Sequence, residues 1–261
     1  MKLFVTDLDG SLLNDNKEIP SNFNEVLNKI EEKNYHFAIA TGRSHQSVAK
    51  EFKNYINRIS IVSNNGSSLH IKNKLINSIY VDDKYIKTCI DIFLKVNKGI
   101  LTLTGLTHNY IMYSDNYSKD EQEEVHRYFT RIDTITSFNE VKDKINKISV
   151  CCDNAHDLIF PNFTHLDQEI DIIISGKYWI DISKIGQSKG KMIIELQNHL
   201  NINKDNTYCF GDYLNDQSMC EATTNTYAMD NAHQDLFNIF TYRIGNNNDE
   251  SVTNKILELI D

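Results

Sequence analysis

Proline is scarce in this chain, two in 261 residues, and glycine is modest at ten. That leaves no Pro-rich linker, disordered tail or low-complexity segment to read. No internal repeat recurs. No apolar run approaches the roughly 20 residues of a membrane span, so no membrane partner is expected. Basic charge is short as well: 27 Lys and Arg against 36 Asp and Glu give a net charge of −9. That balance argues against a nucleic-acid binder, whose phosphate contacts need Lys/Arg surfaces. The five cysteines (Cys89, Cys151, Cys152, Cys209, Cys220) are odd in number and form no C-x-x-C. This is the pattern of reduced thiols in a cytosol. The nine histidines show no metal spacing such as H-E-x-x-H. The first residues carry one Lys and a three-residue apolar run, unlike a secretory signal, so a cytoplasmic location is expected. Nothing in the pattern bears on oligomeric state.

What is there is a repeated device. A short apolar run ends abruptly in small, polar or acidic residues. Leu3-Phe4-Val5 leads to Thr6-Asp7, and Phe37-Ala38-Ile39-Ala40 leads to Thr41-Gly42-Arg43. Ile61-Val62 leads to Ser63-Asn64-Asn65-Gly66, Tyr208-Cys209-Phe210 to Gly211-Asp212, and Tyr227-Ala228-Met229 to Asp230-Asn231. Such runs suit strands buried on both faces, as in parallel sheets. Helical spacing lies between most of them: Phe23, Val26/Leu27 and Ile30; Val48, Phe52 and Tyr55 after Ser44; Met192, Ile193, Leu196 and Leu200 after Ser188; and Val252, Ile256 and Leu259/Ile260. The alternation predicts a doubly wound α/β domain. Ligands bind such sheets beyond the carboxyl ends of the strands, where the polar residues fall.

The middle reads differently. Two helical patterns, Ile86/Cys89/Ile90/Phe93 and Val125/Tyr128/Phe129/Ile132, sit among strand-like stretches. These are Ile100–Gly105, Asn109–Ser114, Asn146–Cys152 and Asp171–Ser183, the last with a hairpin turn expected at Gly176-Lys177. The expectation is an α+β domain, residues 81–185, inserted between the third and fourth strands of a core made of residues 1–80 and 186–261. Trp179, with Ile180 and Ile182, reads as strand packing rather than a stacking platform.

Asp7 and Asp9 stand one residue apart at the first strand's end. Like charges this close repel unless water, a cation or a proton offsets them. An acidic pair at a strand end is often only a turn cap, but four features add to it. Asp212 stands at another strand end, with Asn215 and Asp216 one helical turn on. Three carboxylates converging with no basic partner nearby in sequence call for a divalent cation, and all-oxygen ligands suit Mg²⁺. Thr41-Gly42-Arg43 offers a hydroxyl and an unhindered N–H before a helix, an anion site or an ordinary glycine turn. Lys189 opens a helix, where an ammonium opposes the helix dipole, so it is expected to face an anion. Asn64-Asn65-Gly66 is a turn that also stands at a strand end. Together these groups fit phosphoryl transfer.

The stretches Asp7-Leu8-Asp9-Gly10-Ser11, Thr41-Gly42-Arg43, Ser188-Lys189-Gly190 and Gly211-Asp212-Tyr213-Leu214-Asn215-Asp216, in that order, resemble the four motifs of the haloacid dehalogenase superfamily. More narrowly the chain resembles its Cof-type phosphatases, which carry a large C2 (IIB) cap on a Rossmann-like core. Asn64-Asn65-Gly66 and Tyr227–Ala232 are similar to that branch too. The branch usually has Thr where this chain has Ser11, and Gly where it has Asp230. The resemblance implies a phosphatase of small phosphorylated metabolites (sugar phosphate, nucleotide or vitamin phosphate), with the cap setting specificity. It implies Asp7 as nucleophile and Asp9 as acid and base. Mg²⁺ is implied on Asp7, the Asp9 carbonyl and Asp212, with Asp216 in support. Thr41, Gly42, Lys189 and Asn215 are implied to bind the phosphoryl group. A phosphomutase on the same scaffold, or a non-catalytic phospho-ligand binding protein, are the alternatives. A phosphorylated receiver domain has no inserted domain and no acid two residues after its nucleophile.

Overall fold

The computed structural model describes residues 1–129, 131–166, 170–175 and 178–260. Along the chain run β1 (Leu3–Thr6), α1 (Phe23–Glu32), β2 (His36–Ala40), α2 (His45–Glu51), β3 (Ser60–Ser63), β4 (Ser68–Ile71) and β5 (Lys74–Ser78). Next come α3 (Asp83–Val96), β6 (Ile100–Gly105), β7 (Asn109–Tyr113), α4 (Lys119–Tyr128), β8 (Ile132–Thr134), β9 (Ile145–Cys151), α5 (Ala155–Leu158), β10 (Ile170–Ser175) and β11 (Trp179–Lys184). The chain closes with α6 (Lys189–Leu200), β12 (Thr207–Gly211), β13 (Asn225–Ala228), β14 (Tyr242–Arg243) and α7 (Ser251–Ile260). No helix among the described residues is long and apolar enough to cross a membrane. All five cysteines are free.

The chain divides into two compact units. The first comprises residues 1–45, 52–77 and 188–261, the second 46–51 and 78–187. Residues 46–51, read from the sequence as core, thus group with the second unit.

In the first unit the sheet order is β14-β13-β12-β1-β2-β3-β4-β5. β14, β13, β12, β1, β2 and β3 pair in parallel, and β3 pairs antiparallel with β4. The expected α/β core is present, and all five expected strands form. β1 is buried along its whole length, as a strand covered on both faces must be. The chain leaves β1 toward β2 on one side and returns as β12 on the other. Thr6 lies opposite both Phe210 and Ile39, so the ends of three parallel strands are level around β1. The β4–β5 hairpin extends the sheet beyond what the sequence pattern suggests.

Two helical readings need correction. α2 ends at Glu51, so Phe52 and Tyr55 lie past it. Both rings instead pack edge-on against Phe23, at 5.7 and 5.0 Å between centroids, and this aromatic cluster overrides the helical spacing. Ile132, read as the end of a helix, begins β8.

The second unit has the sheet order β10-β11-β9-β6-β7-β8. Its pairs are antiparallel except β7 with β8. Leu101, Leu103, Ile148, Val150, Ile180 and Ile182 on one face pack with Ile86, Cys89, Ile90 and Phe93 of α3. Val125 of α4 packs on Ile100, Ile111 and Cys151 from the other face. Trp179 packs against Phe129 and Tyr128, the strand-packing role expected of it. The expected turn at Gly176-Lys177 lies outside the described residues.

α6 is the element that brings a charged residue to the first unit's sheet. Ser188 caps it, its hydroxyl accepting from the Lys191 N–H at 3.2 Å. A Cβ on Gly190 would sit 1.8 Å from the Ser218 carbonyl oxygen, so only glycine permits this approach. Gly190→Ala is expected to cost about 1–3 kcal/mol, read as a lower urea midpoint with an unchanged slope.

Candidate active site

Asp7 follows β1 directly, and its N–H donates to the Phe210 carbonyl on neighbouring β12 at 2.8 Å. That bond carries the parallel ladder one residue past the strand and fixes where the Asp7 carboxylate emerges. Lys189 enters from the first turn of α6. Its Nζ donates to Asp7 Oδ1 and to Asp216 Oδ1, each at 2.6 Å. Asp216 lies in the 3-10 stretch Leu214–Glu221 after β12 and is wholly buried, as is the Lys189 side chain. The other Asp216 oxygen accepts the N–H groups of Asp212 (3.0 Å) and Tyr213 (3.1 Å). Ser11 donates to Asp212 Oδ1 at 3.0 Å, which is what the hydroxyl at position 11 supplies.

Asp7, Asp212 and Asp216 each bring one oxygen to within 4.8 Å of the others. These acids have no basic partner nearby in sequence; Lys189, distant along the chain, is that partner. Ionised, three carboxylates and one ammonium leave two negative charges. Burial raises Asp7 well above the ordinary carboxylate range; Lys189 opposes this, and the charges of Asp216 and Asp212 add to it. Burial, then the Asp216 charge, pushes Asp212 up to about 7. Burial works against the Lys189 charge, but Asp216 and Asp7 outweigh it and raise its pKa. A buried, all-oxygen, net-negative cluster of this kind fits a hard divalent cation such as Mg²⁺.

The second sequence motif stands beside it. Thr41 follows β2, and its hydroxyl accepts the Arg43 N–H at 3.1 Å. The Asn65 N–H donates to the Thr41 carbonyl at 3.0 Å, and Asn215 Nδ2 donates to Asn65 Oδ1 at 3.1 Å. A Cβ on Gly42 would come 3.2 Å from that Asn65 oxygen, so Thr41, Gly42, Asn65 and Asn215 form one polar group. Asn64, Asn65 and Gly66 all have left-handed φ, which Asn and Gly tolerate best. Gly66 is needed because a Cβ there would lie 2.2 Å from the Ser188 carbonyl oxygen. This turn therefore abuts the start of α6.

Asp9 has different partners. Arg43 grips it with Nε on Oδ2 at 2.7 Å and an Nη on Oδ1 at 2.5 Å. Lys17 Nζ lies 2.9 Å from Oδ1. Burial favours the neutral acid, yet Arg43 and Lys17 together hold Asp9 below its ordinary pKa. Neither side chain was singled out from sequence. Arg43 closes the Thr-Gly-Arg motif, whereas no local pattern marks Lys17.

The model of the haloacid dehalogenase-like hydrolase family matches residues 4–256. The chain is 24% identical over 262 residues to the 5-amino-6-(5-phospho-D-ribitylamino)uracil phosphatase YbjI of Escherichia coli, covering 98% of this chain and 95% of that one. It is 23% identical over 274 residues to the pyridoxal phosphate phosphatase YbhA of Escherichia coli, with 96% of each covered. Its fold matches that of BT4131, a sugar phosphatase of haloacid dehalogenase subclass IIB, with a TM-score of 0.86, 18% identity and 100% of each chain covered.

The Asp212 proton has a measurable consequence. Its folded pKa of about 7 exceeds the ordinary 3.8, so the metal-free folded protein keeps a proton that the unfolded chain gives up. That contribution to stability is complete below about pH 4 and is lost as pH rises through about 7. In chelator, the melting temperature of the wild type is expected to fall between pH 5 and 7.5. Asp212→Asn should flatten that fall. Equal slopes for both proteins would show that the carboxyl is not the source.

Proposed function

The chain belongs to the haloacid dehalogenase-like hydrolase family and is a phosphatase of that family, and from that premise we propose that it hydrolyses small phosphorylated metabolites with Mg²⁺ through an aspartyl-phosphate. The observation that carries this reading is the buried Lys189 ammonium bridging Asp7 and Asp216 within the three-carboxylate cluster. Its chemistry suits a nucleophile that must meet a dianionic phosphate.

In the first half of the reaction an Asp7 oxygen bonds to phosphorus while the ester P–O bond breaks. The departing alcohol oxygen takes its proton from the protonated form of Asp9, the minor form while Arg43 and Lys17 hold its pKa low. In the second half, water attacks the phosphorus of the aspartyl-phosphate and gives its proton to Asp9. The Asp7–phosphorus bond breaks and inorganic phosphate leaves. Thr41, Gly42, Lys189 and Asn215 bind the phosphoryl oxygens and spread their charge. Asp7, the Asp9 carbonyl and Asp212 would hold Mg²⁺, with Asp216 in support. The ion's contribution is to offset the repulsion between Asp7 and the phosphate dianion. Lys189 alone could not offset it, since one ammonium among three carboxylates leaves the cluster with excess negative charge.

The second unit, as the inserted cap, selects the leaving group in this reading. A sugar phosphate, a nucleotide and a vitamin phosphate such as pyridoxal phosphate all present the same phosphoryl oxygens to Lys189 and Thr41. The substrates in the names of the relatives, a ribitylaminouracil phosphate and pyridoxal phosphate, are phosphate esters of small metabolites.

Release of inorganic phosphate from p-nitrophenyl phosphate tests the proposal. The wild type should release it with Mg²⁺ and stop with chelator. Asp7→Asn should lose activity by about 10³-fold or more, as expected for a missing nucleophile. Undiminished release by Asp7→Asn would overturn the assignment of the nucleophile. Isomerisation of a sugar phosphate without net phosphate release would make the protein a mutase.

A further inference from the structure

The geometry points to Lys17 as a positioning residue for Asp9, serving the step in which water attacks the phosphoryl group. The inference rests on the phosphatase reading above. Three observations lead to it.

The first is the grip itself. Arg43 occupies both oxygens of Asp9, and Lys17 adds a second donor at Oδ1, 2.9 Å away. A carboxylate held by two cations has a fixed orientation, and proton transfer from an attacking water depends on that orientation.

The second is that the segment carrying Lys17 is fastened from outside. Asn231 donates to the Gly10 carbonyl at 2.8 Å and accepts from the Asn247 N–H at 3.1 Å. Asn247 donates to the Leu13 carbonyl at 3.0 Å and to Asp15 Oδ1 at 3.1 Å. Asn248 donates to Asp15 Oδ2 and accepts the Asp15 N–H, at 3.1 and 3.0 Å. Residues 10–15 are thus pinned by neutral amides, from Asn231 after β13 and from Asn247 and Asn248 before α7.

The third is the turn that follows. Asn14 and Glu18 bond side chain to side chain at 2.8 Å, and the Glu18 N–H donates to the Asn14 side chain at 2.9 Å. The Lys17 N–H donates to the Asn14 carbonyl at 2.9 Å, and Lys17 adopts φ 64°. A lysine in the left-handed region is uncommon and costs free energy. The pair it forms is half exposed, and such surface pairs add little stability. A fastened loop, an unfavourable backbone and a pair of little value to folding together imply a role at Asp9.

Steady-state and stopped-flow kinetics on p-nitrophenyl phosphate with Mg²⁺ separate the two halves of the reaction. Nitrophenolate leaves without help from an acid, so kcat/KM reports attack by Asp7 and kcat reports attack by water. Lys17→Met is expected to lower kcat about tenfold and KM in parallel, leaving kcat/KM within about twofold. A burst of nitrophenol, one per active site, should precede the slowed turnover. Lys17→Arg should restore kcat, and Lys17→Met should add nothing in an Asp9→Asn background. A fall of kcat at unchanged KM would mean a structural role and overturn the inference, as would no change at all. A wild type that releases no phosphate would overturn the phosphatase reading, and this inference with it.

Discussion

A buried ammonium sets the terms for this molecule. Lys189 has no exposed side-chain surface, and an unpaired charge so placed would cost several kcal/mol or more. Asp7 and Asp216 must therefore both reach it. Asp7 is delivered by the end of β1, Asp216 by the turn after β12, and Lys189 by the first turn of α6. These elements cannot drift apart without stranding a charge. The absence of a side chain at Gly190 and the left-handed turn at Gly66 let α6 come close enough for the three to meet.

The same constraint makes the site incomplete in charge. One ammonium among three carboxylates leaves an excess that the protein itself does not balance, and the raised pKa values of Asp7 and Asp212 express it. Folding alone would favour neutral acids or fewer of them. A cluster held by backbone bonds to Asp7 and Asp216 in spite of this cost suits a cation and an anion arriving together.

Asp9 is supported by a different principle. Its surroundings are cationic, and the loop that brings Lys17 is anchored by Asn231, Asn247 and Asn248 rather than by further ion pairs. Neutral amides fix geometry without adding charge next to Asp7. The two acids, one residue apart in sequence, thus stand in opposite electrostatic settings: one raised among acids, the other lowered between Arg43 and Lys17. In the cation-free site this order is the reverse of what a nucleophile and a proton donor need, and a divalent cation held beside Asp7 would return it to the ionised form.

The sequence by itself determined five strands of the parallel core and the residues placed at their ends. Burial on both faces writes itself as a short apolar run, and a strand's end is a local event, so Asp7, Thr41 and Asp212 were legible as a set. It also carried the Ser188 cap and the misplaced lysine after it, because helix dipoles act within one turn. Packing between distant segments decided the rest. Phe52 and Tyr55 follow helical spacing, yet the ring of Phe23 drew them out of α2. Ile132 fits a helix by period and pairs in a strand instead. Lys189 between Asp7 and Asp216, and Lys17 on Asp9, have no local signature. Those contacts exist only where parallel strands return beside β1 and a loop is pinned by asparagines more than 200 residues away along the chain.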